Sequence, residues 1–237
     1  MTDEMKSVNL SLSDFSEHGL YLIFPDQSRL VITREKIDRF ASEFLQDPAK
    51  VPPSVKQAVD FQNCSICPNR ETGEFCVALR PTLPFLERID QYLSFHEVTV
   101  VFRGKNSDLL HVRTTTMQRA LQYVSTLSLI HFCEVGREYL KYFFGIMPLM
   151  EAKEVAERIY MNIYWCCRGD LPKAEGVIAK FVEDIRTVSA CQIKRLNTIC
   201  KSDPFLNAFA ITQVATGLVS LISDKTLEKS FNDFEKE

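Results

Sequence analysis

Glycine is scarce in this chain, with eight in 237 residues, and none falls in a GxGxxG or GxxxxGK stretch. Without such a run there is no glycine-rich turn to bring backbone N–H groups onto a phosphate. An excess of one charge is also missing: 28 Lys and Arg stand against 31 Asp and Glu, for a formal charge of -3. That balance excludes the broad basic footprint that nucleic-acid binding needs. The first residues, MTDEMKSVNLSLSD, lack a basic stretch followed by an apolar run, so they do not read as a signal peptide. No GxSxG elbow and no HExxH motif occurs, so neither a serine-hydrolase nor a zinc-protease site can be named.

Long hydrophobic runs are equally sparse. The one membrane candidate is FLNAFAITQVATGLVSLI, residues 205–222, which carries no charge but contains Asn207, Thr212, Gln213, Thr216 and Ser220. At the lower length limit for a span and low in apolarity, it reads as a helix buried in a domain. The apolar share of 46% and charged share of 25% are those of an ordinary globular chain long enough for one large domain or two small ones. The expected location is cytoplasmic, where thiols stay reduced.

What is present divides the chain in two. Residues 19–24 (GLYLIF) and 29–33 (RLVIT) are β-rich runs joined by the turn cluster PDQS, which predicts a hairpin. A short helix is expected over 37–45, a proline-marked connector at 47–54, and a helix over 83–93. Strands follow at 97–103 and 108–113. From Thr114 the period becomes helical: 114–132, a dense apolar knot YLKYFFGIMPLM at 139–150, 151–168, a long helix from about 170 to 200, one opened by Ser202, Asp203 and Pro204, and a last short helix at 224–234. The expectation is an α+β fold: residues 1–113 as a small antiparallel sheet with a cysteine-rich metal knuckle, and 114–237 as a helical bundle packed against it in one continuous domain.

The chemistry concentrates in FQNCSICPNRETGEFC, residues 61–76. Cys64, Cys67, Cys76 and Cys133 are separated by two, eight and fifty-six residues. A CxxC turn places two thiolates within reach of one ion, and tetrahedral zinc needs four ligands at about 2.0–2.3 Å. Cys76 returns through a polar loop that offers no core for a cysteine to pack in. Cys133, or His131 two residues earlier, is the fourth candidate. Cys166, Cys167, Cys191 and Cys200 sit in helical patterns and read as packing residues, and His18, His96 and His111 read as core or surface. Because zinc with four thiolates is anionic, Arg70 or Arg80 is expected to pack against it. A closed four-thiolate shell argues for a structural site and a non-enzymatic interaction or regulatory module with protein partners and no membrane. The alternative is an iron–sulfur redox or iron-sensing protein, since such clusters also take four cysteines.

The runs CSICP, FCVALRPTLPFLERIDQYLSFHEVTVVF and TTTMQRALQYVSTLSLIHFC resemble an uncharacterised family of bacterial four-cysteine proteins. That family's pattern has a QCxxCP motif, a third cysteine before a helix, and a helix ending in a fourth cysteine beside a Ser-Gly-Cys-Pro turn. The resemblance spans residues 58–225 and includes all four cysteines. It departs at HFCEV, where the flanking glycine and proline are missing. It implies the metal site without implying an activity.

Overall fold

The computed structural model describes residues 12–46, 63–71, 76–105 and 109–222. It is a mixed helix and sheet fold with an antiparallel sheet in the order β2-β1-β3-β4 and helices after it. Strands β1 (Gly19–Ile23) and β2 (Arg29–Ile32) form the hairpin, with Gln27 taking the left-handed conformation in the turn (φ 65°). Strand β3 (Glu97–Arg103) pairs with β1, and β4 (Leu110–Thr116) closes the other side.

All five residues of β1 are buried, because the alternating side chains face two cores. Leu20 and Leu22 join the main core with Val98 and Val100. Tyr21 and Ile23 join a small cluster with Val101 under Phe15, whose ring meets Tyr21 edge-on at 5.0 Å. Thr33 Oγ1 accepts the Lys36 N–H and so starts helix α1 (Arg34–Gln46), whose Ile37 reaches the core.

Two of the expected helices are shorter than their patterns. The segment 83–93 is a 3-10 turn, Leu83–Phe85, followed by α2 (Leu86–Ile89) alone. The chain then turns because Asp90 and Asp203 tie it to the far end of the fold: Asp90 Oδ1 accepts from the Ser202 N–H and Asp203 Oδ1 from the Ser94 N–H. Residues 114–116 complete β4 instead of opening a helix. Three β-branched threonines favour a strand, and Thr114 Oγ1 lies 3.1 Å from Thr99 Oγ1 across the ladder. The first helical N–H groups, Met117 and Gln118, donate to the His96 and Ser94 carbonyls.

Beyond Thr116 the helical path is broken into α3 (Met117–Ala120), α4 (Gln122–Thr126) and a π-helical segment, Leu127–Phe132. Cys133 then caps the short α5 (Glu134–Arg137). Helix α6 (Ala152–Cys166) begins with a capping box between Glu151 and Glu154, and Glu151 also bridges Arg113 and Arg119. These carboxylates are engaged as a helix start. Helix α7 (Leu171–Leu196) is capped by Asp170, whose carboxylate accepts the Lys173 N–H.

Helix α8 (Pro204–Gly217) belongs to the stretch Pro204–Leu221, which by length and composition could cross a membrane. It packs on α4, α6 and α7, burying Phe205, Ala208, Phe209 and Ala215. Its buried Thr212 shares a hydrogen bond with Ser125 at 2.5 Å and donates to the Ala208 carbonyl, so its polar positions are satisfied inside the protein. One core cluster runs from Leu20 in the sheet to Val219 after α8. The connector at 47–54 and the helix at 224–234 lie outside the described residues.

Candidate metal centre

Three parts of the chain carry the cysteines together. In the first, the Cys67 N–H donates to the Cys64 carbonyl at 3.0 Å, closing a turn. Pro68 then opens a 3-10 turn, Pro68–Arg70, in which the Asn69 N–H points at the Cys67 sulfur. Asn63 donates to the Asn69 carbonyl and holds the two sides of this turn. Cys76 precedes the 3-10 turn Val77–Leu79, whose buried Ala78 and Leu79 seat it against the π-helical segment.

The second part is the junction at Cys133. Its sulfur lies near the N–H groups of Val135 and Gly136 without a capping hydrogen bond to either. Gly136 stands so near the preceding π segment that a Cβ there would fall 1.6 Å from the Leu129 carbonyl oxygen. Only glycine permits that approach, and it turns Cys133 inward. Tyr139 follows and hydrogen-bonds Asp184, which fastens the junction to α7.

The third part is the last two turns of α7, with Cys191, Gln192 and Arg195. Gln192 Nε2 donates to Cys76 Sγ at 3.4 Å, and Arg195 Nη2 donates to Asn63 Oδ1 at 3.3 Å. Arg195 is completely buried.

Electrostatics describes how these groups lie to one another. Cys76 acts on Cys64, Cys67 and Cys133, and Cys67 also acts on Cys133. Cys76 thus lies within electrostatic range of the other three. Burial pushes the Cys133 thiol up to about 11, against the pull of the Gly136 and Val135 N–H groups. Burial likewise raises Cys67. Cys64 is raised further, first by its hydrogen bond to Cys191 and then by burial. Cys191 is the opposite case: the Cys64 thiol bonded to it, with Arg195 and Lys194 nearby, holds it below the ordinary thiol range. Protonated thiols do not bind metal, so an ion entering here must displace protons.

His131 is exposed, and burial of its ring and the Arg34 guanidinium lower its pKa; no cysteine contributes. It lines a cavity of about 100 Å³ with Phe143, Ile146 and Met150. His18 bonds the Gly104 carbonyl, and His96 bonds the Leu93 N–H. Cys167 is buried in the core and Cys200 packs against it, whereas Cys166 is exposed. Cys191 is not a packing residue, since its partner is Cys64. The guanidinium acting on Cys64 and Cys67 is that of Arg195, while Arg70 is exposed on its turn.

The donor set suits a soft or borderline ion such as zinc. Among the described residues, however, no group of three or more His, Cys, Asp or Glu side chains is arranged to hold an ion as it stands. Cys64 is turned to Cys191 instead. No family model, no curated protein and no solved structure matches the chain.

Proposed function

We propose that Cys64, Cys67, Cys76 and Cys133 bind one zinc ion as a metal knuckle, and that the protein is a non-enzymatic, zinc-stabilised interaction or regulatory module of the cytoplasm. The observation that supports this reading is that the closed Cys64–Cys67 turn, the Cys76 turn packed on the π-helical segment and the Cys133 junction at that segment's end lie within electrostatic range of one another although they span the front and middle of the chain. The resemblance to bacterial four-cysteine proteins fits the same reading. Zinc supplies a crosslink there; the chain's own residues supply the turn at Cys64–Cys67, the seat under Cys76 and the inward junction at Cys133. The partner class is protein, because Phe144 and Trp165 are 80% and 84% exposed on neighbouring elements, and large aromatic side chains are enriched at protein interfaces.

The test is metal analysis of protein purified without air. One zinc per chain in a colourless solution is the expected result. Brown protein containing iron and acid-labile sulfide would replace this reading with the iron–sulfur one. Protein without either metal would end both.

A further inference from the structure

Ser189, Gln192 and Arg195 are all completely buried, and their spacing of three places them on one face of α7. That face meets the cysteine segment through the Gln192–Cys76 and Arg195–Asn63 hydrogen bonds. The Arg195 guanidinium lies within electrostatic range of Cys64, Cys67 and Cys191. Among the described residues Gln192 Oε1 and Ser189 Oγ have no hydrogen-bond partner, so bonds within the described helix layer do not account for this polar face.

Four thiolates on a divalent ion leave two surplus negative charges, and burying them is costly unless cations and N–H donors offset them. Arginine suits that place, being permanently charged and less strongly hydrated than lysine. We propose that Arg195 and Gln192 are the charge-balancing residues of the thiolate site: Arg195 offsets its net charge, and Gln192 donates to the Cys76 sulfur. They position and stabilise the cluster without ligating the ion. The inference rests on the zinc reading above.

The experiment uses the full chain loaded with zinc, and a second sample in which cobalt(II) replaces it. Zinc release to a chromophoric chelator and the thiolate-to-cobalt charge-transfer absorption are measured for wild type, Arg195→Gln, Arg195→Lys and Gln192→Leu. Arg195→Gln keeps a donor but removes the charge, and should loosen zinc by about 10–100-fold. Arg195→Lys restores the charge without the fork and should recover most of that loss. Gln192→Leu should move release in the same direction by less. Both neutral variants should shift the cobalt bands, which a purely structural role would leave in place. Wild-type release and unshifted bands in Arg195→Gln and Gln192→Leu overturn the proposal. If Arg195→Gln does not fold, Gln192→Leu decides by the same two readouts. A wild-type chain that takes up neither zinc nor cobalt overturns the zinc reading itself, which is a different outcome.

Discussion

Helix α7 buries two kinds of face. Along its first five turns the inward positions are Ala174, Ile178, Phe181, Ile185 and Val188, and Phe181 meets Tyr139 edge-on at 5.2 Å with Tyr142 and Phe143 around it. Along its last turns the same face carries Ser189, Gln192 and Arg195. The first half is held by apolar area removed from water, which needs no particular partner. The second half keeps one core anchor, Leu196, but its Ser189, Gln192 and Arg195 are held where donors find acceptors and the charge finds an opposite charge, since an unsatisfied buried polar group costs about 1–3 kcal/mol. One helix therefore belongs to the core at one end and to the cysteine site at the other.

The comparison is broken most severely from the site side. Cys76→Ser removes the thiol that lies within electrostatic range of the other three. Structural zinc contributes about 10–16 kcal/mol of apparent binding energy, against about 5–15 kcal/mol of net stability for a whole domain. The expected outcome is loss of zinc together with loss of protease resistance around residues 63–82. A Cys76→Ser protein that keeps stoichiometric zinc contradicts the ligand assignment.

Phe181→Ala attacks the apolar half and should cost about 3–5 kcal/mol in denaturant unfolding. The folded fraction should hold as much zinc as wild type, because the ring packs on Tyr139, Tyr142 and Phe143. Coupled loss of metal and stability would mean the two halves are not separable.

Alkaline pH sharpens the contrast further. Burial raises the Cys133 thiol to about 11, so the fold favours its neutral form. Its stabilising contribution is complete below the ordinary thiol range and is lost as pH rises through about 11. Metal-free protein should therefore lose about 2–3 kcal/mol between about pH 9 and 11. Zinc-loaded protein, whose sulfur has already given up its proton, should show a flat curve there and lose metal only toward acid pH. Parallel curves for the two forms would remove Cys133 from the site.

Cys166→Ser is the smallest change. The side chain is exposed at the end of α6, and a shift within about 0.5 kcal/mol is expected, with zinc content unaltered in metal analysis.

The parts that sequence reasoning reached share a local signal. Strands β1, β2 and β3 alternate or cluster β-branched residues, and α6 to α8 carry caps and periodic apolar residues. Cys64, Cys67 and Cys76 in one short loop, and Cys133 at the end of a helical pattern, are legible as candidates, and their joint ligation is the proposal made above. What escaped had its signal in three dimensions. An apolar stripe through Val177, Phe181, Ile185, Val188, Ile193, Leu196 and Ile199 is what the sequence suggests for α7. Val188 and Leu196 are fully buried, but Ile193 is only half-buried, and Gln192 and Arg195 are buried where the pattern has no apolar residue. Continuing the step from Phe181, Ile185 and Val188 lands on both, and a polar residue on a core step was the available clue. The early helix start at Thr114 failed for another reason: pairing with β3 overrode a threonine cap that looked plausible locally.

The pairing of β1 with β3, residues 19–23 against 99–103, has a consequence for how the chain is made. During synthesis the β1–β2 hairpin leaves the ribosome long before its neighbour exists. Leu20 and Leu22 on one face and Tyr21 and Ile23 on the other must wait in water, along an unpaired edge, until residues 97–103 emerge. Contacts so distant in sequence form slowly, because a long loop has to close before any of them is gained. The N-terminal hairpin is thus the part of the nascent chain most exposed to wrong pairing with other strands, and the part for which a chaperone that shields apolar β-edges matters most.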